Sequence, residues 1–141
     1  MEVVSIGLNQ HHIDGPFVHS VLYQDATREV IQQYITLLRR VATEHGEVYL
    51  LLDNQRGFMM DAGARQELFQ FGKERIVKAS AIVGGGILFR TAVNMMMRAL
   101  ELVRIAPTPT AFFPTPETAR HWLQQQQARN QPRQGIEPRR L

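Results

Sequence analysis

Two loops hold the side chains best suited to chemistry. Asp53, Asn54 and Arg56 follow the apolar run Val48–Leu52, and Asp61 and Arg65 stand soon after. Gly84, Gly85 and Gly86 follow a second run, Ala79–Val83, with Arg90 about one turn further on. A carboxylate such as Asp53 can hold a cation or a ligand hydroxyl in such a place. It can equally close its own loop by accepting backbone N–H groups. Free N–H groups behind a glycine turn, with a guanidinium just inside the next helix, suit a phosphate or carboxylate. The spacing is neither a Walker loop nor a full dinucleotide fingerprint, because no later glycine completes it. Glycine also serves tight turns and close packing. If Arg65, Arg90 and the glycine loop converge, they form a site for an acidic ligand or an acidic protein surface. Each arginine can instead pair locally and contribute little.

Other chemistries lack their parts. There is no cysteine, and hence no thiol nucleophile, disulfide or thiolate metal site. Serine occurs only at 5, 20 and 80, without a Gly-x-Ser-x-Gly or Ser-His-Asp pattern. His11 and His12 are adjacent in a segment that reads as a turn, close to Asp14. With His19, His45 and His121 they form no ligand spacing, so no metal is expected. Asp53 and Asp61 are separated by a loop that fixes no acid/base geometry. Met95, Met96 and Met97 read as helix packing, with Met95 at the border of the inner stripe or at a partner contact. No catalytic residue and no cofactor are assigned.

The elements that must position the two loops are repeated strand–helix units. Residues 3–8 and 17–23 read as strands, antiparallel to each other because their connection over Asn9–Pro16 is short. Asp25 and Thr27 compete as N-cap of a long helix whose stripe is Val30, Ile31, Tyr34, Ile35, Leu38, Val41 and Ala42, with Gly46 as its stop. Val48–Leu52 is a continuous apolar run, as in a strand covered on both faces, and Ala79–Val83, with Ser80 in its middle, reads as a second buried strand. A helix from about Asp61 carries Ala64, Leu68, Phe71, Gly72 and Ile76. Another, from about Leu88, places Leu88, Phe89, Ala92, Val93, Met96, Met97, Leu100 and Val103 inward. Thr110–Phe113 is a last strand, and Thr115-Pro116-Glu117 opens a last helix with a cap, a favoured first-turn proline and a favourable charge. The order is ββαβαβαβα. It predicts an α/β domain with a mixed, mostly parallel sheet, covering helices, and its ligand edge at the carboxyl ends of the strands.

This order resembles the STAS superfamily, shared by sulfate transporters and bacterial anti-sigma-factor antagonists. More narrowly it is similar to stand-alone bacterial antagonist-like proteins, whose fold is related to CRAL-TRIO lipid-binding domains. The resemblance rests on Leu51-Leu52-Asp53, Asp61-Ala62-Gly63-Ala64-Arg65, Ala81-Ile82-Val83-Gly84 and the closing segment Phe112–Leu123. It covers most of residues 17–125. It implies a non-catalytic regulatory or interaction module acting by protein–protein contact. Antagonists present Asp-Ser-Ser/Thr-Gly at the start of the helix after the third strand, where a hydroxyl is phosphorylated. Asp61-Ala62-Gly63 has no hydroxyl, so phospho-switching is not carried over. The expected docking surface is Asp53, Asn54, Arg56, Asp61 and Arg65, with Gly84, Gly85, Gly86 and Arg90 alongside. The alternative is a small-ligand or lipid-binding domain of CRAL-TRIO type, with a cavity under the third helix lined by Leu88, Phe89, Met96 and Met97. A third reading is an enzyme built on the glycine loop.

The 141 residues suit one domain over 1–125, followed by a Gln-, Arg- and Pro-rich tail over 126–141 that is expected to be disordered. The pI of 9.8 belongs to that tail. Residues 129–141 hold Arg129, Arg133, Arg139, Arg140 and Glu137. Setting these aside from 16 basic and 13 acidic residues leaves 12 of each. A neutral body argues against nucleic acid as the partner. No signal peptide and no run of about 20 apolar residues is seen, which predicts a cytoplasmic chain without a transmembrane segment. A homodimer through an edge strand, at residues 3–8 or 110–113, is a further expectation.

Overall fold

The computed structural model describes residues 1–131. Its elements are β1 (Glu2–Ile6), β2 (Asn9–Asp14), β3 (Phe17–Val21), α1 (Arg28–His45), β4 (Val48–Asn54), α2 (Ala62–Gly72), β5 (Val77–Gly84), α3 (Gly86–Leu102), β6 (Thr110–Phe113) and α4 (Pro116–Asn130). The strands form one sheet in the order β1-β2-β3-β4-β5-β6. β3 to β6 run parallel, and β1-β2-β3 is an antiparallel meander.

The meander corrects the predicted order. The segment over Asn9–Asp14 is a strand, so the order is βββαβαβαβα, and β1 and β3 flank β2 instead of pairing. Two tight turns make this possible, each with a glycine in the left-handed region: Gly7 at φ 60° and Gly15 at φ 58°. Along β2, Asn9, His11 and Ile13 are buried, while Gln10 and Asp14 are exposed. That is strand alternation, but its inward positions are mostly polar, so a hydrophobic pattern does not reveal it.

Caps set the helix starts. Thr27 caps α1 through Val30 N–H, while Asp25 accepts from Met59 N–H at 2.8 Å and is not a cap. Asp61 caps α2 and Thr115 caps α4. α2 stops at Gly72, so Ile76 lies outside it; the chain turns there through Arg75 at φ 56°. α4 runs through the glutamines to Asn130, past the expected boundary at 125. Within it, Asn130 donates to the Tyr49 hydroxyl at 3.2 Å, which ties the helix end to β4. The rest of the expected disordered tail, residues 132–141, lies outside the described residues.

The strands divide their side chains between two cores. Val18, Leu50, Leu52 and Ile82 face α1, α2 and α3. Tyr49, Leu51, Ala79, Ala81 and Val83 face α4, where Ala119 and Leu123 complete the layer. Small residues at 79, 81 and 119 let α4 lie close to the sheet. Because β3 to β6 are parallel, the loops after β4 and β5 leave from one rim, and the candidate residues sit there.

Candidate functional site at the carboxyl-end rim

The two loops touch. Asn54 pairs with Gly84 across the sheet, and a Cβ on Gly84 would lie 2.8 Å from the Asn54 carbonyl oxygen. Gly84, Gly85 and Gly86 all have positive φ, at 75°, 96° and 71°. A side chain at Gly84 would be both strained and obstructed. Asn54 is fully buried and serves its own loop: its amide donates to Phe58 O at 2.9 Å and accepts from Phe58 N–H at 2.8 Å. Asp61 Oδ1 accepts from Ala64 N–H at 2.8 Å as the cap of α2. The loop is also fastened to the start of α1, because Ala26 N–H donates to Met59 O at 2.8 Å and Asp61 N–H to Ala26 O at 3.0 Å.

The charged residues occupy different surroundings. Arg65 Nη1 donates to Met60 O at 2.7 Å and lines a groove of about 560 Å³ between α2 and α3. The Arg90 guanidinium lies 5.2 Å from the Phe112 ring centre, and that of Arg56 lies 6.0 Å from the Tyr23 ring centre. Asp53 is on the opposite face of the sheet, beside α4. Its carboxylate is 3.6 Å from His19 Nε2. Burial holds the His19 pKa below its usual value, and the Asp53 charge opposes that in part. Thus the glycine loop and the 54–57 segment meet, whereas Asp53, Arg65 and Arg90 do not share one pocket. No group of three or more His, Asp or Glu able to hold a metal occurs among the described residues.

Two features escaped the sequence. The first is the solvent side of α3, where Leu88 is 73% and Met95 65% exposed, together with Ile87 and Leu102. Leu88 was expected to point inward, toward a cavity; it lines the groove instead, with Met95, Met96 and Phe69. The second is a buried polar cluster on β2, β3 and α1. His11 Nδ1 lies 2.8 Å from Ser20 Oγ, which lies 3.0 Å from the Tyr34 hydroxyl. The His11 and Tyr34 rings stack at 4.8 Å. Only the inward register of residues 11 and 20, readable once β2 is known, places them together.

No family model matches the chain, and no curated protein matches it. Among solved structures, an uncharacterized protein of the DUF3478 family from Shewanella loihica PV-4, described as having a SpoIIAA-like fold, aligns with a TM-score of 0.53 at 20% identity, covering 86% of this chain and 90% of that one. The fold is SpoIIAA-like. It is a STAS-like architecture, as the sequence resemblance implied. In this SpoIIAA-like chain the start of α2 is Asp61-Ala62-Gly63, without a hydroxyl. A Cβ on Gly63 would lie 3.0 Å from Arg28 Cβ, so glycine there permits the close approach of α1 and α2. No described helix is long and apolar enough to cross a membrane.

Proposed function

We propose that this SpoIIAA-like chain is a non-catalytic module that works by binding another protein through the groove between α2 and α3 and the adjoining rim. The observation that carries this reading is the exposed stripe on α3. Leu88, Thr91, Met95, Arg98 and Leu102 recur at alternating three- and four-residue spacing, and all are exposed. This is the pattern by which one helix receives another. The groove beside the stripe adds Met59, Phe69 and Met96. Arg56, Arg65, Arg90 and Arg98 have no carboxylate within ion-pair distance among the described residues. The occupant that fits is an amphipathic helix with acidic side chains along its border. The N–H groups at the start of α3, behind Gly84–Gly86, add donors for a partner carboxylate. Asn54 and Asp61 support this surface from within, as loop and cap residues, whereas Asp53 lies on the other face of the sheet.

The experiment is affinity capture with the full chain, its Leu88→Glu and Arg65→Ala variants, and a Thr36→Glu control on the exposed side of α1. The expected result is one acidic partner retained by wild type and control and lost by Leu88→Glu, with reduced recovery for Arg65→Ala. Equal recovery by all four would refute the surface, and a second copy of this chain as the captured species would reassign it to self-association.

The ligand-binding alternative draws on a different observation, a cavity of about 150 Å³ between the sheet and α1–α3. A volume of that size takes roughly one benzene-sized molecule. It favours a small ligand over an acyl lipid.

A further inference from the structure

The sheet is wider than α4. The helix packs on β4, β5 and β6, and the β1–β3 meander extends past its edge. A cleft of about 540 Å³ lies in that corner, between α4 and the meander. Val3, His12, His19 and Leu51 are cross-strand neighbours and share one face of the sheet. Leu51 belongs to the core under α4, so both histidines stand on the α4 side. Arg120, Leu123 and Gln124 turn one side of α4 toward the same space. Phe17, Leu51 and Leu123 supply its apolar floor. Size and lining match those of small-molecule sites, which are mostly apolar with a few polar groups.

The positive groups gather at one end. The His12 and His19 rings lie 6.0 Å apart, centre to centre. Arg120 is exposed and has no carboxylate within ion-pair distance among the described residues. The charged groups facing His19 are Asp53 from β4, Arg120 from α4 and His12 from β2. Burial lowers the His19 pKa most, Asp53 opposes that, and Arg120 and His12 add to the lowering. His19 Nε2 is itself buried and turned toward Asp53 at 3.6 Å, so a ligand does not reach it. Direct contact falls to Arg120 and to His12, which is partly exposed. Asp14 stands two residues from His12 on the same side of β2, opposite Phe17. A ligand with one negative group suits this arrangement, because a second would meet Asp14.

We infer that the cleft between α4 and the β1–β3 meander binds a small monocarboxylate with an apolar body, its carboxylate on Arg120 and His12 and its body toward Phe17. The planar guanidinium matches a carboxylate. The bound charge also offsets the crowding of positive groups around His19. Binding therefore favours protonated His19 and strengthens as pH falls below about 6.5. The inference goes beyond the docking surface and is independent of it, since the α2–α3 groove lies on the other face of the sheet.

Two probes of nearly the same shape isolate the charge: benzoate, and neutral benzamide. They are titrated into the full chain and followed by the ring resonances of His12 and His19. The expected result is saturable binding of benzoate, about tenfold tighter than benzamide. Its affinity is expected to rise about threefold between pH 7.5 and pH 5.5, with the His19 titration moved to higher pH when benzoate is bound. In Arg120→Gln, a change at an exposed helix position, the preference for benzoate is expected to disappear with Tm unchanged. Equal affinities in the wild type, no saturable binding, or full benzoate affinity in Arg120→Gln would overturn the inference. So would an affinity that is flat or falls as pH is lowered, or inorganic phosphate bound as tightly as benzoate. Benzoate binding unchanged by Leu88→Glu would keep this site separate from the docking surface, and its loss in that variant would overturn the separation.

Discussion

Burial holds the His11 imidazole neutral, with its pKa lowered from 6.5 to about 4 and the neighbouring His12 adding to the effect. The unfolded chain therefore takes up this proton first as pH falls. The stabilising contribution is complete above pH ~6.5 and is lost progressively down to pH ~4, up to about 3 kcal/mol. The groups that face this ring are Ser20 and Tyr34, with His12 next to it on β2. Urea unfolding at pH 7 and pH 4.5 should show the loss in wild type and a smaller one in His11→Phe; the residual slope then comes in part from His19, whose pKa burial also lowers. An unchanged slope in His11→Phe would assign the acid sensitivity elsewhere. Tyr34→Phe should cost about 1 kcal/mol at pH 7 by removing the hydrogen bond between the Tyr34 and Ser20 hydroxyls. None of this was readable from residue types. A histidine pair next to Asp14 and Gly15 reads as a turn, because Asn, His and Asp favour turns and because the inward places of β2 are filled by groups a hydrophobic pattern treats as outward.

The elements that position the rim depend on close backbone contact and small side chains. Gly84→Ala would push a Cβ against the Asn54 carbonyl at a positive φ. It should destabilise by about 2 kcal/mol or more, read as a lower urea midpoint. Leu123→Ala, at a position 1% exposed on the sheet-facing side of α4, should cost about 3 kcal/mol and loosen the second core. A cost under about 1 kcal/mol there would mean that α4 is not part of the folded unit. β4 and β5 were legible because strands covered on both faces are apolar nearly throughout, as Val48–Leu52 is and as Ala79–Val83 is but for Ser80. The start of α4 was legible because Thr115-Pro116-Glu117 meets three separate requirements of a helix start. α3 was legible as a helix but not in its facing. Periodicity identifies which residues are apolar, not how wide a stripe the fold covers, and Leu88 and Val103 fall beyond the covered part.

At the scale of the whole molecule, four parallel strands bring the loops after β4 and β5 to one rim, and this much followed from the order of strand–helix units. What the order does not fix is the face on which a rim side chain emerges. Asp53, next to last in β4, points toward α4 and His19, whereas Arg65 stands over the other face, between α2 and α3. The proposed partner surface is therefore on the α1–α3 side and extends along α3, away from Asp53. Asp53→Asn should accordingly leave partner binding unchanged while altering the His19 titration, a distinction that binding assays and histidine NMR read separately. Photo-crosslinking in cells tests the docking surface most directly, with a photoreactive residue in place of Met95 compared with one in place of Thr36. The docking account predicts one acidic partner captured from position 95 and not from position 36, and lost when Leu88→Glu is added without a change in Tm. Equal capture from both positions, or none from position 95, would contradict it.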